Sequence, residues 1–289
     1  MAGVVVETRG GRIALRARVY VDATGDAVLS RLAGAKTRIE ERLQYPSMMF
    51  AMQHVDVGKA VAALAELPRI LAAHFEPDGL PRKSGNLIPT GRPGEVLVAL
   101  SRVEYEGRPV NAALEEELSY AEMEGRAQAV RLSEFVKRQV PGFEQAFLAD
   151  TAPRLGVRET RKIVGEHCLS EDDVLGARDF EDGIGRCAWP IERHVEGGLT
   201  DWTFLGPGAS YAIPYRCLVP RGFRNLLVAG RWLSAESGAF GSVRVIGPCM
   251  LAGQATAVAA RQICEHDLAA TAVDVEQLRH TLSGMGVPL

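Results

Sequence analysis

The sequence predicts a mixed α/β fold built in two parts, and three observations carry that expectation. Near the end, Leu226 to Ala229 is a short unbroken apolar run, which fits a strand buried on both faces of a parallel sheet. Glycine-punctuated residues and a helix of very small side chains follow it. At the start, alternating β-branched residues read as a hairpin that runs on into strand, turn and helix. Between these ends, Arg38 to about Thr200 shows no further glycine loop after a buried strand.

In chain order, Ala2 to Thr8 is the first arm of the hairpin and Arg9-Gly10-Gly11 its turn. Arg12 to Asp22 returns with Ile13, Leu15, Ala17, Val19 and Val21 on one face at period two. The strand ends in Asp22-Ala23-Thr24-Gly25-Asp26, where small residues let a ligand rest on the backbone. A helix from Ala27 to Ala33 follows, with Asp26 placed to cap it or to accept from a hydroxyl, and Gly34 to stop it. A plain strand, turn and capped helix accounts for this segment equally well.

In the middle block, Pro46 to Val55 reads as a strand and Val57 to His74 as a helix broken by Pro68. Ser84 to Thr90 and Glu95 to Val103 pair across the Gly91-Arg92-Pro93-Gly94 turn. Asn111 to Gln139 is a long helix with an apolar stripe through Leu118, Ala121, Ala129, Leu132 and Val136, stopped by Pro141-Gly142. Arg158-Glu159-Thr160-Arg161 then places two guanidinium groups three residues apart. Two readings stand open: one arginine faces a cofactor or anionic substrate with Glu159 holding it, or the group is a surface ion-pair cluster.

After the buried strand, Gly230 to Gly247 contains Gly238 and Gly241, hydroxyls at Ser234, Ser237 and Ser242, and guanidinium groups at Arg231 and Arg244. Pro248 suits the first helical position, Cys249 sits at the positive helix end, and Leu251 to Ala260 is almost all small residues. Strand, glycine loop, paired arginines and proline-started helix, in that order, suit a seat for an anion or a polar ring. Its members would be Gly230, Arg231, Ser242, Arg244, Gly247 and Cys249. The helix start would also lower the Cys249 thiol pKa, but with no second cysteine nearby to resolve an oxidised form the favoured reading is a small packing residue. The bland alternative is a core helix packed closely on a sheet, with solvated arginines.

Charge excludes several partners. With 33 basic and 36 acidic residues well mixed and a net charge of -3, nothing marks a nucleic-acid or anionic-membrane surface. The five cysteines include no CxxC pair, which argues against a disulfide scaffold and against a zinc or iron–sulfur site, so no metal is expected. Reduced thiols, no apolar run of membrane-spanning length and a charged opening segment fit a soluble cytoplasmic chain. Neither GxSxG nor HExxH occurs, which disfavours hydrolysis.

VYVDATGDAVLSRLAGA at Val19 to Ala35 resembles the second flavin-contacting segment of FAD-dependent oxidoreductases of the glutathione-reductase-like type. MMF at Met48, AEMEGRAQA at Ala121, LGVRETRKIVGEHCLSEDDVL at Leu155 and YAIPYRCLVP at Tyr211 extend the likeness over nearly the whole chain. The resemblance implies FAD as cofactor and hydride or electron-pair exchange with a small-molecule substrate. It also implies a discontinuous FAD/NAD(P)-binding-type nucleotide domain from residues 1–37 and 206–289, and an inserted substrate or cap domain of β-sheet plus helices at 38–205. Ala23, Thr24, Gly25 and Asp26 would join the cofactor group, and Arg158, Glu159 and Arg161 would be the catalytic candidates.

The chain departs from that pattern in lacking the strand and GxGxxG of a dinucleotide fold. The first part of the nucleotide domain is therefore expected to be absent and the domain partial, with weak FAD binding unless that segment is supplied in trans. A chain carrying the segment, or a homo-oligomer, would be the partner covering the open sheet edge. The alternative is a non-catalytic binding or assembly subunit.

Overall fold

A computed structural model describes residues 1–289, which form two compact units. The first comprises Met1–Glu40, Arg161–Glu192 and Trp202–Leu289; the second comprises Glu41–Thr160 and Arg193–Asp201. Residues 161–192, which the sequence pattern groups with the middle block, thus belong to the first unit.

Strands β1 (Val4–Thr8) and β2 (Gly11–Leu15) form the expected antiparallel hairpin, with Thr8 opposite Gly11. The second arm does not run unbroken to Asp22. It bends after Leu15, where the Tyr20 hydroxyl accepts from the Ala17 amide at 2.9 Å, and resumes as β3 (Tyr20–Asp22). Helix α1 (Val28–Leu32) is short, and Asp26 does not cap it: the N-cap position is Ala27, and the Thr24 hydroxyl accepts from the Val28 amide at 3.0 Å. Gly34 ends the helix by returning its amide to the Arg31 carbonyl, and β4 (Thr37–Arg38) follows.

In the second unit, β5 (Phe50–Gln53) leads to α2 (Val57–Ala62) and α3 (Leu67–His74), which are separate helices because Pro68 opens the second. β6 (Asn86–Pro89) and β7 (Val96–Ala99) pair antiparallel as expected, and β8 (Glu104–Tyr105) pairs with β9 (Arg108–Pro109). Helix α4 (Glu115–Gln139) spans 25 residues, with Glu115, Glu116 and Glu117 in its first turn and Lys137 and Arg138 in its last, matching the helix dipole. β10 (Phe147–Thr151) completes a four-stranded antiparallel sheet in the order β10-β5-β7-β6. Period two puts Phe50, Met52, Val96 and Val98 on the buried face, in one core with Leu132, Phe135 and Val136 of α4.

The first unit resumes with β11 (Lys162–Ile163), paired to β4, and α5 (Glu171–Leu175), which starts at a Ser170–Asp173 capping box. Next come β12 (Gly183–Cys187), then β13 (Ile191–His194) and β14 (Thr200–Thr203), each of which has two residues in the Arg193–Asp201 segment of the second unit, and β15 (Tyr211–Pro214), antiparallel to β12. β16 (Leu226–Val228) has no exposed side chain and lies parallel to β3. The last elements are α6 (Ser237–Val243), α7 (Ile246–His266) and α8 (Val275–Gly284). Ala252, Ala255 and Ala259 of α7 are fully buried in the same core as Leu227 and Val228, so the small residues do serve close packing on the sheet. No single helix is long and apolar enough to cross a membrane, and α6 and α7 meet at a bend of 88°.

Two details of the final segment differ from the sequence expectation. The stretch between Gly230 and Gly247 is not one loop, since α6 occupies its middle. Its glycines serve packing: a Cβ on Gly238 would overlap the Glu171 carboxylate, and one on Gly241 would sit 2.9 Å from the Glu192 carbonyl oxygen. Helix α7 also begins at Ile246, two residues before Pro248, which takes the third helical position where its missing amide is still costless.

Glu117 of α4 provides a test of the second unit. Its carboxylate accepts both Arg108 Nη1 and Nη2 at 2.9 Å and the Asn111 amide at 2.7 Å. The Arg108 hydrogen bonds, against an opposing desolvation cost, hold Glu117 below the usual carboxylate range. A depressed carboxylate pKa contributes stability that is present above its unfolded value and lost as pH falls through the folded one. Glu117→Gln is therefore expected to lower the unfolding free energy at neutral pH by about 1–3 kcal/mol, the range for bonds to a charged group. Urea titrations should show this gap shrinking below about pH 4.3, the unpaired carboxylate value; a gap independent of pH would refute the ionic account.

Candidate functional site

The parallel pairing of β3 with β16 sets Tyr20 beside Leu226 and Asp22 beside Val228, so both strands end at one edge. Ligand sites in open α/β sheets form at such carboxyl ends. The turn leaving β3 is organised by Asp22, which is fully buried. One carboxylate oxygen accepts the Thr24 amide at 3.1 Å and the Thr24 hydroxyl at 2.7 Å; the other accepts the Ser30 amide at 2.7 Å and the Ser30 hydroxyl at 2.6 Å. Four donors replace the water that a buried carboxylate loses. The sequence reading missed Asp22, although aspartate two residues ahead of a turn amide is the pattern of a side-chain-closed turn.

Asp22 thereby fixes Ala23, Thr24, Gly25 and Asp26. Gly25 adopts φ +97°, which favours glycine, and a Cβ there would lie 3.2 Å from Arg231 Nη1. The Asp26 carboxylate accepts from Arg231 Nη2 at 2.6 Å, which explains why it does not cap α1. Arg161 Nη1 donates to the Asp26 carbonyl at 3.2 Å. The fold thus brings Ala23 to Asp26, Arg161, Gly230 and Arg231 to one place. Gly230 has a local reason for being glycine, since the Trp232 ring would stand 2.5 Å from its Cβ. Arg231 Nε is buried and has no hydrogen-bond partner.

Ser242 and Arg244 are used inside the protein. Ser242 is fully buried; its hydroxyl donates to the Trp189 carbonyl and lies 2.7 Å from the Tyr211 hydroxyl. Burial is the chief cause raising the Tyr211 phenol pKa far above its ordinary value. Arg244 Nη2 donates to Glu192 at 3.0 Å, and both side chains are mostly buried, so the solvated-arginine alternative does not hold either. Helix α6 is held further by Lys162, whose fully buried ammonium lies 3.1 Å from Glu40 and 4.5 Å from the centre of the Phe240 ring.

The start of α7 is open by contrast. Gly247 has no atom within 4 Å of a Cβ position, and its neighbours Ile246 and Met250 are 78% and 69% exposed. The Cys249 thiol donates to the Arg244 carbonyl at 3.2 Å. Burial outweighs the pull of Arg231 and Arg244 and raises its pKa, which accords with the packing role expected of it and not with a thiolate.

The Arg158 group is neither helix nor surface cluster. In the second unit, Arg158 Nη1 donates to the Tyr45 carbonyl at 2.6 Å and to the Ser47 hydroxyl at 2.8 Å. Glu159 is 1% exposed and accepts the Gln44 amide at 3.2 Å. Both hold the chain at residues 44–47, while Arg161 belongs to the first unit and reaches Asp26.

The donors at the sheet edge fit a flavin nucleotide. The buried, unpartnered Arg231 Nε, the free first-turn amides of α7 and the open Gly247 suit an anionic or carbonyl-bearing ring, and the chemistry requires no metal or thiolate.

Among solved structures, the chain is similar to a triple mutant of the flavin-dependent brominase Bmp2, with 13% identity and a TM-score of 0.37. The match covers 98% of this chain and 51% of the other, so this chain spans about half of that protein's length. A likeness at that score does not set the fold. No curated protein matches. The model of the family described as FAD dependent oxidoreductase matches residues 1–282, and the chain belongs to that family, with FAD as its cofactor.

Proposed function

We propose that this chain supplies part of a flavin seat and a substrate-handling unit to an oxidoreductase that exchanges a hydride or electron pair with a small molecule. The observation that supports it is the Asp26–Arg231 pair at the carboxyl ends of β3 and β16, with Arg231 Nε buried and unpartnered. FAD, when bound, supplies the electron-accepting ring. Arg231 and the amides of Ile246 and Gly247 present hydrogen-bond donors to its polar edge, and the Ala23 to Gly25 turn offers backbone without bulk. Asp26 fixes the guanidinium and offsets its charge. Cys249, kept protonated by burial, fills space and carries no redox step. Arg158 and Glu159 act as positioning residues for residues 44–47, and Arg161 supports the turn through the Asp26 carbonyl.

A second reading, a non-catalytic binding or assembly subunit, is favoured by the exposed Val5, Ile13 and Leu15 of the hairpin. Flavin titration followed by absorbance and fluorescence separates the two. The oxidoreductase reading expects a perturbed flavin spectrum that saturates; an unperturbed spectrum throughout the titration favours the assembly subunit.

Arg231→Gln is expected to weaken FAD by about tenfold or more, the scale of one lost charged hydrogen bond. Equal affinity in wild type and variant would remove Arg231 from the seat.

Gly247→Val should weaken FAD while leaving the thermal midpoint unchanged, because the added side chain meets nothing in the protein itself. Ser242→Ala should do the reverse. It leaves the Tyr211 hydroxyl without its partner and lowers stability by about 1–3 kcal/mol, with FAD affinity unaltered. A Ser242→Ala variant of normal stability and lost FAD binding would return Ser242 to the cofactor group.

A further inference from the structure

The second unit contains a buried guanidinium that its own side chains do not satisfy. Arg102, just after β7, is only 5% exposed, and its guanidinium carbon stacks 3.4 Å from the centre of the Tyr45 ring. Its Nε lies 3.3 Å from a Glu104 carboxylate oxygen without hydrogen-bond geometry, and its Nη2 has no partner. A charge so far removed from water is costly unless it is paired and hydrogen-bonded.

The surroundings hold this side chain in place. Gln128 of α4, itself 8% exposed, receives the Arg102 amide at 3.0 Å and donates to the Arg102 carbonyl at 2.9 Å, so one side-chain amide clamps both backbone groups. Tyr45 fixes the plane of the guanidinium. Arg102 and Gln128 line a cavity of about 330 Å³, within the size range of small-molecule sites. Phe75, Leu80 and Pro81 give that cavity an apolar wall, and Tyr120 adds a phenol. Of its acidic groups, Glu124 already pairs with Arg131 at 2.7 Å, and Glu104 is 46% exposed beside Arg102.

We propose that this cavity binds a small organic carboxylate, with its carboxylate on the Arg102 guanidinium and a short apolar chain against Phe75, Leu80 and Pro81. Guanidinium and carboxylate match as planar, paired hydrogen-bonding groups, and the apolar wall favours an organic acid over inorganic phosphate. Glu104 is the internal competitor: its carboxylate occupies part of the same charge and moves toward solvent when ligand enters. The site stands on the second unit alone and does not use the flavin reading.

Calorimetric titration of the full chain in flavin-free buffer, with hexanoate, hexanamide and inorganic phosphate as probes, tests it. Hexanoate should bind, and hexanamide and phosphate should bind at least about tenfold more weakly, the cost of losing one ionic or apolar anchor. Arg102→Gln should weaken hexanoate by a similar factor. Glu104→Gln changes an exposed side chain, so it tests the site even if the Arg102 variant fails to fold, and it should tighten hexanoate several-fold because the competing charge is gone. A merely structural Arg102–Glu104 pair would not give that gain. Equal binding of hexanoate and hexanamide, preference for phosphate, or unchanged or weaker hexanoate binding in Glu104→Gln would each overturn the proposal.

Discussion

The parallel contact between β3 and β16 is the constraint on which the rest of the first unit depends. The two strands are three residues each and lie about two hundred residues apart in sequence, yet their register decides which loops share an edge. A shift by one residue would turn Leu226 and Val228 away from their present faces and move Arg231 out of reach of Asp26. Strands this short cannot hold register by backbone bonds alone. The buried core around Leu227 and Val228 supplies the rest.

Several buried polar groups in the first unit sit in networks of partners. Asp22 carries four donors on one side chain. Glu40 faces both the Lys162 ammonium at 3.1 Å and Arg38 Nε at 3.2 Å, while Arg38 also reaches the Ala235 carbonyl and the Cys168 sulfur. Such networks specify one arrangement of neighbouring segments, since loss of one member leaves the others charged or unpaired in a poorly solvating interior. The open first turn of α7 stands out against that background.

Much of the fold was legible because its signals were local. The apolar run at 226–229, the period-two hairpin, the turn between β6 and β7 and the Ser170 cap each announce themselves within a few residues. The glycines of α6 misled for a physical reason: glycine marks a flexible loop and a tight helix contact alike, and only the presence of Glu171 and Glu192 across the contact separates the two. Ser242 and Arg244 were drawn to the site by residue type, whereas their partners are distant in sequence: Trp189 is 53 residues from Ser242, Glu192 is 52 from Arg244, and Tyr211 is 31 from Ser242, on β15. No spacing rule carries that information. Asp26 and Arg231 were each nominated from the sequence, but their pairing became visible only with the register of two distant strands.

The buried hydroxyls at Ser242 also constrain how protons travel. Because the Ser242 hydrogen points to the Trp189 carbonyl, its oxygen must accept from Tyr211, and the direction of the chain is fixed. A carbonyl oxygen has no hydrogen to pass on, and Tyr211 holds its own far above neutral pH. The chain is therefore a proton dead end. The pair thus joins β15 to α6 without conducting a proton between them.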